Sequence, residues 1–302
     1  MTDLGELYPF ESRYLDIEGQ RLHYVDEGRG PAIVFVHGNP TWSFYFREPI
    51  KGLRGTHRAI AIDHMGCGLS DKPQDYPYTL STHIRNLERL IDHLRLDDVV
   101  LAVHDWGGPI GLGWAVRNAE RVRGLVVFNT AAFLEGRMPF SIRMSRWPVI
   151  GELGVRGLNL FARAALRTAS ARRERMTRQV RRGYLAPYDS YANRVAILRF
   201  VRDIPFHPGV PSYAVMREIE SSLPNLSDKP MVLFWGARDF VFNDAYLDVW
   251  RRRFPGAQVH RFADAGHYVV EDAYERILPL MSSFLRATAA GTPGMANRFQ
   301  MT

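Results

Sequence analysis

Residues Val99-Val100-Leu101-Ala102-Val103-His104 run without polar alternation, turn at Asp105-Trp106-Gly107, and continue through Gly108-Pro109-Ile110-Gly111-Leu112-Gly113-Trp114-Ala115 with helical spacing. An unbroken apolar run of this length predicts a strand buried on both faces, and hence a sheet covered by helices on either side. A strand that turns sharply into a helix at a polar residue is a nucleophile elbow, which lifts one side chain above the carboxyl edge of the sheet. The helix N-terminus behind it favours negative charge there. Here the elbow residue is aspartate. A carboxylate is ionised at neutral pH and needs no base before it attacks saturated carbon. The competing reading is that Asp105 only caps the following helix.

The rest of the chain extends the pattern. Residues 12–17 and 21–25 predict two short strands paired through a turn at Glu18-Gly19-Gln20. Ala32–Val36 and Arg58–Ile62 read as buried strands, and Leu80, Ile84, Leu87, Leu90, Ile91 and Leu94 mark one face of a helix over 79–94. Val122–Phe128 is a further strand. From residue 131 to about 223 no buried strand is evident, only helical periodicity, arginine clusters and prolines. Strands over 231–235 and 258–262 follow, with helices over 245–254 and 268–287. Strands alternating with helices predict an α/β protein with a mostly parallel central sheet flanked by helices. The expected organisation is a core of residues 1–132 and 224–288, an inserted helical cap of residues 133–223, and a disordered tail of residues 289–302.

Composition narrows the class. A hydrophobic content of 46% suits a large core, and a lone cysteine, Cys67, excludes an internal disulfide and fits a reducing compartment. With no secretory signal and no uncharged run of transmembrane length, a cytoplasmic protein with no membrane partner is expected. The net charge of +7 comes largely from arginines between Arg137 and Arg202. Glu174 and Asp189 lie among them and no nucleic-acid motif accompanies them, so a solvated face is expected and no nucleic-acid partner. Self-association through this region is left open. Gly66 and Gly68 mark a tight turn without the spacing of a dinucleotide site. His83 and His93, ten residues apart on one helix, lack metal-ligand spacing, so neither metal nor organic cofactor is expected.

Each polar residue that stands out follows a strand, where ligands of such sheets bind. In chain order they are Asp105, Asp239 and His267, the nucleophile–acid–histidine order of this architecture. His267 can serve as general base, and Asp239 can orient it and stabilise its cation. The Asn39 amide and the Trp106 indole are neutral N–H donors suited to a small departing anion. The backbone N–H groups of the same two residues can form an oxyanion hole. Turn formation before Pro40 and simple aromatic packing are the competing readings of Asn39 and Trp106.

These residues carry a resemblance. Through His37-Gly38-Asn39-Pro40-Thr41-Trp42, His104-Asp105-Trp106-Gly107-Gly108 and Ala265-Gly266-His267, the chain resembles the haloalkane dehalogenases of the α/β-hydrolase superfamily from about residue 13 to residue 285. The resemblance implies the α/β-hydrolase fold, Asp105 as nucleophile, His267 as base, and Asn39 with Trp106 as halide-binding pair. Some members carry the triad acid as a glutamate after the strand following the elbow helix. Here that place reads Val127-Phe128-Asn129-Thr130, so the chain resembles the subfamily whose acid is an aspartate, at Asp239. Glu135 is the fallback.

The implied reaction converts a small halogenated hydrocarbon and water to alcohol and halide through an ester on Asp105. Epoxide hydrolases, which share the triad, are the nearest alternative. They place an aromatic where Asn39 stands and use two cap tyrosines, for which Tyr184, Tyr188, Tyr191 and Tyr213 are candidates. A fluoroacetate dehalogenase would carry arginine in place of Trp106. A non-catalytic binding protein of the same fold has no need of all three triad residues.

Overall fold

The computed structural model describes residues 4–135 and 138–290. Eight strands form one sheet: β1 (Arg13–Ile17), β2 (Gln20–Glu27), β3 (Ala32–Val36), β4 (Arg58–Ile62), β5 (Val99–His104), β6 (Val122–Phe128), β7 (Met231–Gly236) and β8 (Gln258–Phe262). Their spatial order is β1-β2-β4-β3-β5-β6-β7-β8. β2 is antiparallel to both β1 and β4, while β4-β3-β5-β6-β7-β8 are parallel. The β1–β2 hairpin turns through Glu18 and Gly19, both with positive φ.

The helices of the core are α1 (Arg47–Leu53), α2 (Leu80–His93) and α3 (Gly107–Ala115). Between β6 and β7 lie α4 (Phe140–Ser145), α5 (Pro148–Ile150), α6 (Leu160–Thr168), α7 (Arg178–Leu185), α8 (Val195–Asp203) and α9 (Ser212–Ser222), with a π-helical turn at Gly151–Gly157. α10 (Asp244–Arg253) and α11 (Val269–Ala289) complete the chain. The last residues of the expected tail, 291–302, lie outside the described residues.

β5 explains why the sheet buries both faces. Val99, Leu101 and Val103 join the cluster that holds Ile84 and Leu87 of α2 and Ile110 and Leu112 of α3. Val100 and Ala102 point the other way, into the cluster with Ile50 of α1 and Ile277 and Met281 of α11. Alternate residues of a strand face opposite sides, so a strand between two helical layers must be apolar throughout. Burying each large aliphatic side chain contributes about 1.5–3 kcal/mol. α2 begins where Thr79 accepts a hydrogen bond from the Thr82 N–H, which satisfies one orphan donor of the first turn. Among the helices between β6 and β7, α9 packs against α2 and α3, with Met216 and Ile219 in their cluster, and carries the crossover from β6 to β7.

Candidate active site

The polypeptide leaves β5 through Asp105 at φ 51°, a left-handed conformation uncommon for a residue with a Cβ. Such strain persists only where neighbours enforce it. The Asp105 N–H donates to the Asn129 carbonyl at 3.1 Å, and the Asp105 carbonyl accepts from the Gly108 N–H at 2.9 Å and from the Thr130 hydroxyl. Gly107 has no room for a side chain, since a Cβ there would run into the Val36 carbonyl. A Cβ on Gly38 would collide with the Asp105 carboxylate itself. Asp105 does not cap α3, whose N-cap is Trp106 without a side-chain hydrogen bond. Its carboxylate instead accepts at Oδ1 from the Asn39 backbone N–H at 2.7 Å.

His267 lies across from it. Its Nδ1 donates to Asp239 Oδ2 at 2.8 Å, which leaves Nε2 directed toward Asp105 Oδ2 at 3.6 Å, beyond a direct hydrogen bond. Asp239 is fixed in turn, because its Oδ1 accepts from the Val241 N–H at 2.7 Å. Burial raises the Asp105 carboxyl above its ordinary value, opposed by the His267 charge and the Asn39 and Trp106 backbone N–H groups. Burial also works against the His267 cation. The charge and hydrogen bond of Asp239, then the charge of Asp105, outweigh it and hold the imidazole above its ordinary value.

Asn39 Nδ2 donates to the Ile197 carbonyl of α8 at 3.2 Å, and the second N–H of that amide has no partner among the described residues. Trp106, on the first turn after Asp105, makes no hydrogen bond through its indole N–H to any described residue. Both side chains, with Asp105 and His267, line a cavity of about 650 Å³. Its other walls are largely apolar, including Phe133, Val155, Phe161, Val201, Phe242 and Tyr268. Asp105, His267 and the two donors therefore share one cavity, and Asp239 reaches it only through the His267 ring it binds.

Glu135 lines the same cavity, but its carboxylate pairs with Arg252 and Arg253, and Asp239 holds the imidazole. The cap tyrosines do not face the cavity. Tyr184 donates to Glu271, Tyr188 to the Thr41 carbonyl and Tyr191 to Glu152, and Tyr213 is not among the lining residues. Among the described residues no group of three or more side chains has the makings of a metal site.

Two features of the site have no warning in the sequence. Asp272, fully buried, accepts from the Gly266 N–H at 2.7 Å, the Ala171 N–H at 2.8 Å and the Ser170 hydroxyl at 2.5 Å. It ties the turn that carries His267 to the segment after α6. Beside it, Glu271 takes a bidentate ion pair from Arg47 at 2.8 and 2.6 Å and a hydrogen bond from Tyr184. An acidic pair opening a helix predicts only helix-dipole stabilisation. Tyr268 had a simpler signal, since it directly follows the histidine.

The comparisons with known proteins agree with this fold. Residues 31–274 match the family described as alpha/beta hydrolase fold. A cis-3-alkyl-4-alkyloxetan-2-one decarboxylase of Shewanella oneidensis is 44% identical over 291 residues, 94% of this chain and 91% of that protein. Haloalkane dehalogenase 2 of Mycobacterium bovis is 35% identical over 276 residues, 90% of this chain and 94% of that protein. Among solved structures, the haloalkane dehalogenase DatA from Agrobacterium tumefaciens superposes with a TM-score of 0.81 at 28% identity, covering 94% of this chain and 98% of that one. The chain belongs to the haloalkane dehalogenase family of the α/β-hydrolase superfamily.

Proposed function

We propose that the chain is a hydrolase acting on carbon–halide bonds, which converts haloalkanes to alcohols through an ester on Asp105. The observation that carries the reading is the pairing, in one apolar cavity, of a buried carboxylate with two uncommitted N–H donors, on Asn39 and Trp106. In the first step Asp105 Oδ2 attacks the halogen-bearing carbon and the carbon–halogen bond breaks. The halide leaves toward Trp106 Nε1 and Asn39 Nδ2. The ester carbonyl oxygen stays at the Asn39 backbone N–H that already binds Oδ1. In the second step His267 Nε2 takes a proton from water, which adds to the ester carbonyl. Asp239 stabilises the imidazolium, and collapse of the intermediate frees the alcohol and the carboxylate. The core, residues 1–132 and 224–288, supplies the reacting groups, and the insertion, residues 133–223, supplies much of the cavity wall. The lone thiol, Cys67, is buried and unpaired, in keeping with a cytoplasmic enzyme. Epoxide hydrolysis has less support, because the cap tyrosines are spent on Glu271, Thr41 and Glu152.

A second reading is favoured by one observation: the Shewanella decarboxylase shares more identity with this chain than the Mycobacterium dehalogenase does. In a cis-3,4-dialkyloxetan-2-one, C4 is a saturated carbon bonded to the oxygen of a carboxylate held in a strained ring. Attack by Asp105 at C4 breaks the C4–O bond and leaves a free carboxylate on C3. The electrons of the C3–carboxylate bond then form the C3=C4 double bond as the Asp105 carboxylate departs. Carbon dioxide and a cis-alkene leave, and no water is consumed. The same nucleophile and donors serve both readings, so products separate them. Sustained bromide release from 1-bromobutane or 1,2-dibromoethane supports the dehalogenase. Alkene and carbon dioxide from a cis-3,4-dialkyloxetan-2-one, without bromide release, move the assignment to the decarboxylase. Diol from styrene oxide alone overturns both.

A further inference from the structure

The segment that roofs the cavity also carries the largest apolar exposure among the described residues. Phe140 is 71% exposed, Trp147 57%, Val149 69%, Leu153 64%, Leu158 64% and Leu160 53%, all from α4 to the start of α6. Scattered exposed apolar residues are ordinary, but a run of this density on one structural unit marks an interaction face. Leu160, Phe206 and Phe240 are exposed and also line the cavity, so the apolar face and the cavity mouth are continuous.

Charge on this face is one-sided. Residues 138–170 hold Arg143, Arg146, Arg156, Arg163 and Arg167 against a single acid, Glu152. Glu152 is already paired with Arg156 and Arg202. Arg163 and Arg167 are exposed and, like Arg143, form no ion pair with any described residue. On α6, Leu160, Ala164 and Thr168 line the cavity, with Arg163 and Arg167 on the adjoining ridge. Aromatic and aliphatic side chains beside free arginines are what a surface needs to sit in the headgroup region of an anionic bilayer.

We propose that the α4–α6 face docks on anionic membrane surfaces, so that apolar substrate enters the cavity from the lipid. The substrate half of the statement rests on the proposed function; the docking half does not. No helix of the described residues is long and apolar enough to cross a membrane, and surface docking requires none. The sequence expectation of no membrane partner rests on the lack of a spanning segment and on reading the arginines as a solvated face; periodicity does not show that these apolar residues face outward.

The molecule carries its own probe. Of six tryptophans, Trp147 is 57% exposed and the other five are at most 7% exposed. The full chain, mixed with phosphatidylglycerol–phosphatidylcholine vesicles, should co-sediment and its emission should shift to the blue; pure phosphatidylcholine should bind less. Trp147→Phe should bind with a much smaller shift. Arg163→Gln and Arg167→Gln should each lower partitioning about fivefold, and high salt should act alike. Trp147→Ser with Val149→Ser should lose binding yet keep turnover of dissolved 1-bromobutane, since neither residue lines the cavity. That turnover also shows the variant is folded.

Three results would overturn the proposal. One is no co-sedimentation with phosphatidylglycerol vesicles. Another is binding that survives the serine and glutamine variants. The third is a dimer by light scattering that Trp147→Ser abolishes, which would assign the face to a second copy of the chain. Vesicle binding without any halide release would leave docking standing and remove the dehalogenase reading.

Discussion

The carboxyl edge of the sheet and the helical roof above it solve opposite problems. At the sheet edge the groups of the proposed chemistry are held closely: Asp105 by a strained elbow, Asp239 by the Val241 N–H, and His267 by Asp239 and the turn that Asp272 grips. The roof supplies apolar wall from α4 to α8 and touches the chemistry through few polar contacts, among them the Ile197 carbonyl at Asn39. Groups whose charge changes during reaction must be held rigidly, because a misplacement of about 1 Å costs about 10²-fold in rate. A wall that only excludes water needs shape and apolarity. Substitutions should therefore divide sharply between the two regions.

The largest effect belongs to the elbow. Asp105→Ala should lower bromide release about 10⁵-fold or more, because it removes the proposed nucleophile of the first step. A residual rate within tenfold of the native one would show that the elbow is not the nucleophile.

Asp239→Asn comes next, with a loss of about 10³–10⁴-fold. It also carries a pH signature. His267 must be neutral to accept a proton from water, so the hydrolytic step should climb with pH as the imidazolium loses its proton. In the free enzyme, against the effect of burial, Asp239 and then Asp105 hold that imidazole above its ordinary value. Esterification neutralises Asp105 and removes one of those charges. The hydrolytic limb should therefore lie below the titration of His267 in the free enzyme, and Asp239→Asn should shift it further toward acid. Stopped-flow rates of ester hydrolysis between about pH 5 and 9 test this, and a limb unmoved by Asp239→Asn would contradict the triad.

Between the two regions lies the buried pair Arg47–Glu271, each side chain 3% exposed. Glu271→Ala leaves a buried guanidinium without its bidentate partner and should cost about 3–5 kcal/mol in urea unfolding. The smallest effect is the most discriminating for the acid. Glu135→Ala breaks only ion pairs at the surface and should change stability by about 0.5 kcal/mol, with turnover within about twofold of native. A large fall in turnover would return the acid to Glu135.

The same division governs how much could be read from the sequence. β3, β4 and β6 fall on their expected residues, because two-sided burial leaves apolar runs bounded by turns, and β8 does so as a short edge strand in which only Phe262 is buried. The meeting of Asp105, Asp239 and His267 was legible from strand order: Asp105 and Asp239 follow buried apolar strands and His267 follows the edge strand β8. The roof was legible only as helical, since its exposed residues are as apolar as its buried ones; Leu158 is 64% exposed and Leu166 5%. Periodicity cannot assign an inward face to such helices. Nor could it reveal Arg47–Glu271 or the Asp272 turn, which join residues 224 and 101 positions apart.

The central claim is that Asp105 becomes covalently attached to the carbon it attacks. His267→Phe removes the base of the second step and leaves the first intact, so incubation with 1-bromobutane should add one butyl group per chain, by intact mass. Proteolytic mapping should place that group on the peptide containing Asp105, with at most one bromide released per site. Native turnover with no adduct in His267→Phe, or an adduct on any other residue, would contradict the account.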